Sequence, residues 1–262
     1  MLEILDLNLK LEKKQYKAAV DRLETELALL QRAVYENKIP VLILFEGWDG
    51  SGKGDSIGQL VEPMDPRGFR VHTTRPPDSE EITLRPWLWR FWLRIPGEGE
   101  IRILDRSWYF TLTMKRLEGE LDRSAWQLAM EETKAFERQL VDDGVVLIKF
   151  WLHLSRKEQK QRIKAWKDDP YQHWRTKQPR GQTYRQYDDI FEIIEDTLAR
   201  SSIHGAPWSL VESEDHLYRR VKVLDRTVET LRRALAARGV TPPDPAASQA
   251  EAEPAEPVEV HA

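Results

Sequence analysis

From Phe45 to Asp55 the chain reads Phe-Glu-Gly-Trp-Asp-Gly-Ser-Gly-Lys-Gly-Asp. Gly47, Gly50, Ser51, Gly52, Lys53 and Gly54 fit the spacing G-x-x-x-x-G-K of a loop built to hold phosphate. Glycines let successive backbone N–H groups turn inward around an anion. The helix that must follow adds partial positive charge at its N-terminus, and Lys53 adds a full charge. The position after the lysine is Gly54, where a Ser or Thr hydroxyl would commonly ligate Mg²⁺, so a metal here needs another ligand. Asp49, inside the loop, is the obvious one: a carboxylate in a phosphate cradle repels its ligand unless a cation lies between them. It reads as a metal ligand, as a base that activates an attacking phosphate, or as a turn-forming residue.

A second constellation, Asp105-Arg106-Ser107-Trp108-Tyr109, follows the apolar run Ile101 to Leu104. In phosphate-loop proteins an Asp at a second strand end holds Mg²⁺, and Asp105 has that position. Arg106 beside it could clamp a phosphoryl group in transfer. A third feature is a charge run. From Arg156 to Arg185 there are ten Lys or Arg against three Asp or Glu, a balance of +7 in a chain whose formal total is −4. It reads as a binding strip for a polyanion, as a lid over phosphates, or as a solvated helix face. Trp166, Tyr171 and Trp174 within it are too few to make a base-stacking platform.

These groups need elements to hold them. Pro40 to Glu46 is a continuous apolar run, the pattern of a strand buried on both faces. Gly68–Thr74, Glu100–Asp105, Val145–Leu152 and Pro207–Val211 supply four more strands. Helical spacing covers Lys10–Asn37, the stretch after the loop to about Glu62, Arg123–Leu140, Ser155–Lys167, Tyr184–Ser201 and His216–Ala237. Asp78–Arg94 is expected to be helical, with Asp78 and Glu81 as a capping box, and Ser155 with Glu158 as another. Trp87, Trp89, Phe91 and Trp92 surround Pro86 and suit core packing or a subunit interface better than base stacking. Strands alternating with helices imply an α/β fold, a parallel sheet covered by helices on both faces. Residues 1–240 form the domain in this reading. Residues 241–262, rich in Pro, Ala and Glu, read as a disordered acidic tail.

The chain has 262 residues, no cysteine and 10 tryptophans, and 40 % of it is hydrophobic. That is enough apolar material for a real core, and it excludes disulfides, zinc-thiolate sites and Cys nucleophiles. No apolar run is long enough for a bilayer, and no secretory leader pattern opens the chain. The expectation is a soluble cytoplasmic protein that binds neither membrane nor nucleic acid.

Taken with these features, the chain resembles the polyphosphate kinase 2 family over about Leu5 to Leu235. The resemblance rests on FEGWDGSGKGD (Phe45 to Asp55), DPRGFRVH (Asp65 to His72), RPWLWRFW (Arg85 to Trp92), ILDRSWY (Ile103 to Tyr109), FERQLVDDG (Phe136 to Gly144), KFWLHLS (Lys149 to Ser155) and APW (Ala206 to Trp208). It implies a phosphate-loop kinase, thymidylate-kinase-like, with a basic helical lid over about 156–185. It implies Mg²⁺-dependent phosphoryl transfer between inorganic polyphosphate and a nucleotide, AMP to ADP or ADP to ATP, in a homo-oligomer. The family's functional positions carry over as Asp49, Lys53, Asp105 and Arg106, with Asp49 and Asp105 on the metal and Arg162 and Arg185 as lid contacts to phosphate. Phe110 and Thr111 stand where the family often has Gly or Asn and then Arg, and Trp166 and Tyr184 where it often has basic side chains. Two rivals follow: a catalytically impaired polyphosphate-binding subunit, and an ATP-dependent kinase of nucleoside monophosphates or small metabolites.

Overall fold

In a computed structural model, residues 1–77, 84–176 and 183–243 are described. The proposed tail from residue 244 onward and the capping pair Asp78 and Glu81 lie outside them. Five strands, β1 (Val41–Gly47), β2 (Phe69–Thr73), β3 (Ile101–Asp105), β4 (Val146–His153) and β5 (Trp208–Glu212), form one sheet in the order β2-β3-β1-β4-β5. Every pairing is parallel. The central strand β1 is buried from Val41 to Glu46, which is why its sequence shows no polar alternation.

The sheet's two faces take different helices. Val41, Ile43, Phe45, Ile101, Ile103, Ile148 and Phe150 form one core with Leu23, Leu27 and Leu30 of α1 (Lys13–Glu36) and with Ile57 and Leu60 of α2 (Lys53–Val61). The C-terminal helix Asp215 caps, His216–Ala236, closes that core with Val223, Leu224, Val228 and Leu231. On the opposite face, Leu42, Leu44, Leu104 and Leu147 pack against α3 (Trp108–Leu117) and α4 (Arg123–Asp142) through Trp108, Trp126, Met130 and Phe136. α5 (Arg156–Asp168) follows β4. α6 (Tyr187–Ser201) packs Tyr187, Ile190 and Ile194 against Trp48 and Trp151, and the C-terminal helix is α7.

Three expectations change. Among the described residues of Asp78–Arg94, Leu84 and the turn Trp89–Trp92 are helical and Arg85 to Leu88 between them are not; Pro86 interrupts the pattern, because proline has no N–H to give and crowds the turn before it. The helix α3 was not legible, since its residues Trp108 to Leu117 are apolar on too many sides to show one stripe; Trp108, Tyr109, Leu112, Thr113 and Met114 are all buried. The cap at Ser155 is half a capping box: its hydroxyl accepts from the Glu158 N–H, but the Glu158 carboxylate turns to Arg162 and the Ser155 N–H turns to Glu214.

Several pieces that carry the family resemblance meet in one buried cluster. Glu137 accepts from Trp108 Nε1 at 3.1 Å, from the Tyr109 hydroxyl at 2.6 Å and from Lys149 Nζ at 2.7 Å. Lys149 also donates to the Ser201 carbonyl at 2.7 Å and lies over the Tyr109 and Trp208 rings. Glu137 and Lys149 are both fully buried. Burial raises the Glu137 carboxyl and lowers the Lys149 ammonium, and each opposes the other's shift. The cluster ties α3 and α4 to β4 on the sheet face that α3, the helix following Asp105, covers.

Candidate active site

β1 and β3 are in register with Phe45 opposite Asp105, so the phosphate loop and the Asp-Arg pair emerge side by side from the carboxyl edge of the sheet. This is where open α/β sheets place ligands. Gly47 ends β1 with φ 143°, and a Cβ there would collide with the Leu152 carbonyl of β4. Gly50 and Ser51 form the turn, with the Ser51 N–H bonded to the Trp48 carbonyl at 3.1 Å. Gly52 caps α2 in the left-handed region, φ 86°, with the Arg219 guanidinium within 2.7 Å of where its Cβ would stand. Lys53 and Gly54 open the helix. A Cβ on Gly54 would meet nothing within 4 Å, so the missing hydroxyl reflects no lack of room.

Lys53 Nζ donates to the carbonyls of Gly47 and Trp48 at 2.9 Å each. The lysine is thereby folded back across its own loop. Burial, helped by the nearby Arg106, holds its ammonium below the usual lysine range, and Asp49, Asp105 and Glu46 pull the other way. Arg106 reaches across from β3 and donates to Asp49 Oδ1 at 2.5 Å. Its guanidinium lies over the Phe110 ring, 4.2 Å from the centroid. Phe110, which precedes the position Thr111 read from the sequence as having lost a basic side chain, is thus a platform for the neighbouring arginine. Arg106 has φ 66°, a left-handed conformation that costs a non-glycine residue about 1–3 kcal/mol.

Asp105 Oδ1 is buried without a hydrogen-bond partner. An orphaned carboxylate oxygen that shares the neighbourhood of Lys53 with Asp49 suits a hard cation such as Mg²⁺, which takes one or two protein carboxylates and shares the rest of its shell with water and phosphate. Among the described residues no group of three or more His, Asp or Glu could cage a metal alone. The two aspartates therefore fit Mg²⁺ as a shared ion rather than a protein-enclosed one.

Of the two lid arginines, Arg162 is turned onto backbone: it donates to the Gly50 carbonyl at 3.0 Å, to those of Ser213 and Glu214 at 2.9 and 2.7 Å, and to Glu158. It braces the loop's outer side. Arg185 is exposed in the turn Thr183–Gln186 that leads into α6. Trp166 comes near the loop at Gly50.

Four residues escaped the sequence reading. Glu46 accepts from the Ser107 N–H and hydroxyl and from the Phe110 N–H. Burial raises its carboxyl above the usual range, against the pull of those Ser107 donors, Lys53 and Arg106. Arg219 supports the loop from α7 through Ser56 at 3.0 Å and Asp55 at 2.5 Å. Trp48 stacks on Tyr187 with centroids 4.1 Å apart, and its Nε1 donates to His153 Nδ1 at 3.2 Å. Glu46 and Trp48 lie inside the quoted piece FEGWDGSGKGD and His153 inside KFWLHLS, so a closer reading of those pieces could have found them; Arg219 lies too far along the chain to signal.

The family model for polyphosphate kinase 2 (PPK2) matches residues 10–238. The chain belongs to the polyphosphate kinase 2 family. Within the polyphosphate kinase 2 relatives it is 36 % identical over 243 residues to a protein named polyphosphate:AMP phosphotransferase from Pseudomonas aeruginosa, covering 91 % of this chain and 48 % of that protein. It is 29 % identical over 223 residues to one named GDP-polyphosphate phosphotransferase from Mycobacterium tuberculosis, covering 85 % of this chain and 75 % of that protein. The crystal structure of polyphosphate kinase 2 from Arthrobacter aurescens TC1 is similar with a TM-score of 0.85 at 26 % identity, covering 96 % of this chain and 92 % of that one. The chain spans about half the length of the polyphosphate:AMP phosphotransferases it matches. No helix among the described residues is long and apolar enough to cross a membrane.

Proposed function

We propose that this protein transfers a phosphoryl group from inorganic polyphosphate to a nucleotide, with AMP as the acceptor and ADP as the product. The observation that carries the reading is the Arg106 guanidinium, delivered from the end of β3 onto Asp49 in the phosphate loop, one residue after Asp105 with its buried, unpartnered oxygen. Such a set can bind the reacting phosphates, orient them and neutralise charge, which is nearly all that phosphoryl transfer asks of a protein.

The loop N–H groups and Lys53 hold the phosphates at the point of transfer. An oxygen of the acceptor phosphate bonds to the terminal phosphorus of the chain. The bridging P–O bond breaks, and the shortened polyphosphate leaves with its electron pair. Arg106 shifts from Asp49 to the oxygens of the group in flight. Mg²⁺ held by Asp49 and Asp105 would supply charge neutralisation at the phosphate oxygens. Lys53 leaves its two carbonyls for phosphate, a better partner for an ammonium. Arg162 and Arg185, with the rest of the basic run, guide the polyanion.

AMP is favoured by the name of the relative at 36 % identity; the relative named for GDP marks the alternative. Exposed Val71, Trp92 and Leu93 support a homo-oligomer, testable by light scattering. Purified protein with Mg²⁺ and polyphosphate is offered AMP, ADP, GMP and GDP separately, and ATP in place of polyphosphate. The reading expects ADP from AMP with polyphosphate as donor. Transfer from ATP alone would make it an ATP-dependent kinase, and polyphosphate binding with no product would make it a non-catalytic subunit.

A further inference from the structure

The Asp-Arg pair needs something to hold it, because Arg106 sits in a conformation that its own side chain disfavours. β3 ends at Asp105, and the chain must reverse within two residues to start α3 at Trp108. Two backbone-level contacts help: the Arg106 N–H donates to the Phe45 carbonyl at 2.9 Å, and the Thr74 hydroxyl donates to the Arg106 carbonyl at 2.6 Å. They fix the peptide on each side of Arg106 but not the start of the helix.

That start is fixed by Glu46. Its Oε1 accepts from the Ser107 N–H at 2.7 Å, the Ser107 hydroxyl at 2.7 Å and the Phe110 N–H at 3.2 Å. Two of these donors are backbone N–H groups at a helix N-terminus, where a negative charge is also favoured by the helix dipole. Glu46 is the residue immediately before the phosphate loop and is only 3 % exposed. One carboxylate therefore joins the strand that launches the loop to the turn that launches Arg106, and through Phe110 to the ring on which the guanidinium rests.

We infer that Glu46 is a positioning residue for phosphoryl transfer: by gripping the first turn of α3 it holds Arg106 in its left-handed turn, over Phe110 and aimed at the loop. It touches no reacting atom. The inference rests on the phosphoryl-transfer reading and deepens it. Arg106 stabilises charge that develops only during transfer, so loosening it lowers kcat and leaves substrate binding nearly intact.

The test is a double-mutant cycle on the full chain, with kcat and both KM values read for wild type, Glu46→Gln, Arg106→Ala and the double variant. Glu46→Gln keeps the shape and an acceptor oxygen but removes the charge. The expected result is a drop of about tenfold in kcat with KM for polyphosphate and nucleotide within twofold. In the Arg106→Ala background the same substitution changes kcat by less than twofold, since it acts through a side chain no longer there. An unchanged kcat in Glu46→Gln overturns the inference. So does a loss that multiplies with that of Arg106→Ala, because Glu46 would then act on Lys53 or on the fold. Should Glu46→Gln lose its cooperative melt, Ser107→Ala, which removes one donor to Glu46 and the hydroxyl that caps α3 by accepting from the Tyr109 N–H but changes no charge, decides by the same comparison. An active wild type with an unaffected Glu46→Gln defeats this inference alone. A wild type that transfers nothing from polyphosphate defeats the functional reading and this inference with it.

Discussion

Lys53 bonds two carbonyls of its own loop, so the loop is shaped around an ammonium before any phosphate arrives. Lys53→Ala should lower kcat by about 10²–10³-fold, the scale for losing one preorganised donor to developing charge, with the fold retained in a thermal melt. The two glycines that flank it should respond in opposite directions. Gly52→Ala places a Cβ against Arg219 at φ 86° and should cost more than about 1 kcal/mol. Gly54→Ala meets open space in the first turn of α2 and should leave stability unchanged or raise it by up to about 1 kcal/mol. Denaturant unfolding of the two variants checks both. His153 gives a pH test. Burial holds its imidazole down to about 4, and its Nδ1 accepts from Trp48. Its folded value lies below that of an exposed imidazole. Between about pH 6.5 and 4 the unfolded chain therefore takes up a proton that the folded protein refuses. The stabilisation is whole above 6.5 and declines as pH falls, by about 3 kcal/mol at the limit. His153→Asn should flatten the pH dependence of the melting temperature between 7 and 5; an unchanged slope would contradict this. The loop residues were legible because their spacing is local. Glu46 was not, because it looks like the end of a buried strand until the helix start that it holds is seen.

α3 carries Arg106's platform at one end and is anchored from both directions, by Glu46 at its first turn and by Glu137 at Trp108 and Tyr109. Lys149→Met should cost about 3–5 kcal/mol, because Glu137 would be left as a buried charge without its partner. Replacing both, Glu137→Leu with Lys149→Met, should recover a large part of that loss. Urea unfolding of the single and double variants decides it, and equal losses in both would show that the charge pair is not what matters there. The same element shows where sequence patterns stop. β1, α4 and α7 were legible because each buries one regular stripe or both faces. α3 escaped because it is buried on several sides and its polar bonds to other elements run to residues 28 to 80 positions away. The single helix expected over Asp78–Arg94 is broken at Arg85 to Leu88 for a converse reason: aromatic residues at helical spacing surround a proline that interrupts the helix.

At the scale of the whole molecule the sheet does one thing for function. It sets two loops from adjacent parallel strands next to each other, with Phe45 opposite Asp105, and leaves a strongly basic segment, +7 over Arg156 to Arg185, in a chain of net −4. Long polyphosphate should feel that field more than a nucleotide does. Raising salt from about 0.05 to 0.5 M should weaken polyphosphate binding well beyond its effect on AMP, as screening shortens the reach of the charges; parallel calorimetric titrations would show it, and equal weakening would contradict it. The fold class and the loop were readable from the chain alone, whereas the nucleotide was not, since base selection depends on pocket walls assembled from distant residues. The most direct trial of the central claim is ³¹P NMR of the purified protein with Mg²⁺, polyphosphate and AMP. The account predicts that β-phosphate resonances of ADP grow as polyphosphate end groups turn over, and that Lys53→Ala slows this by at least about 10²-fold. Growth of ADP at the wild-type rate in Lys53→Ala, or an unchanged spectrum with the wild type and every nucleotide offered, would contradict it.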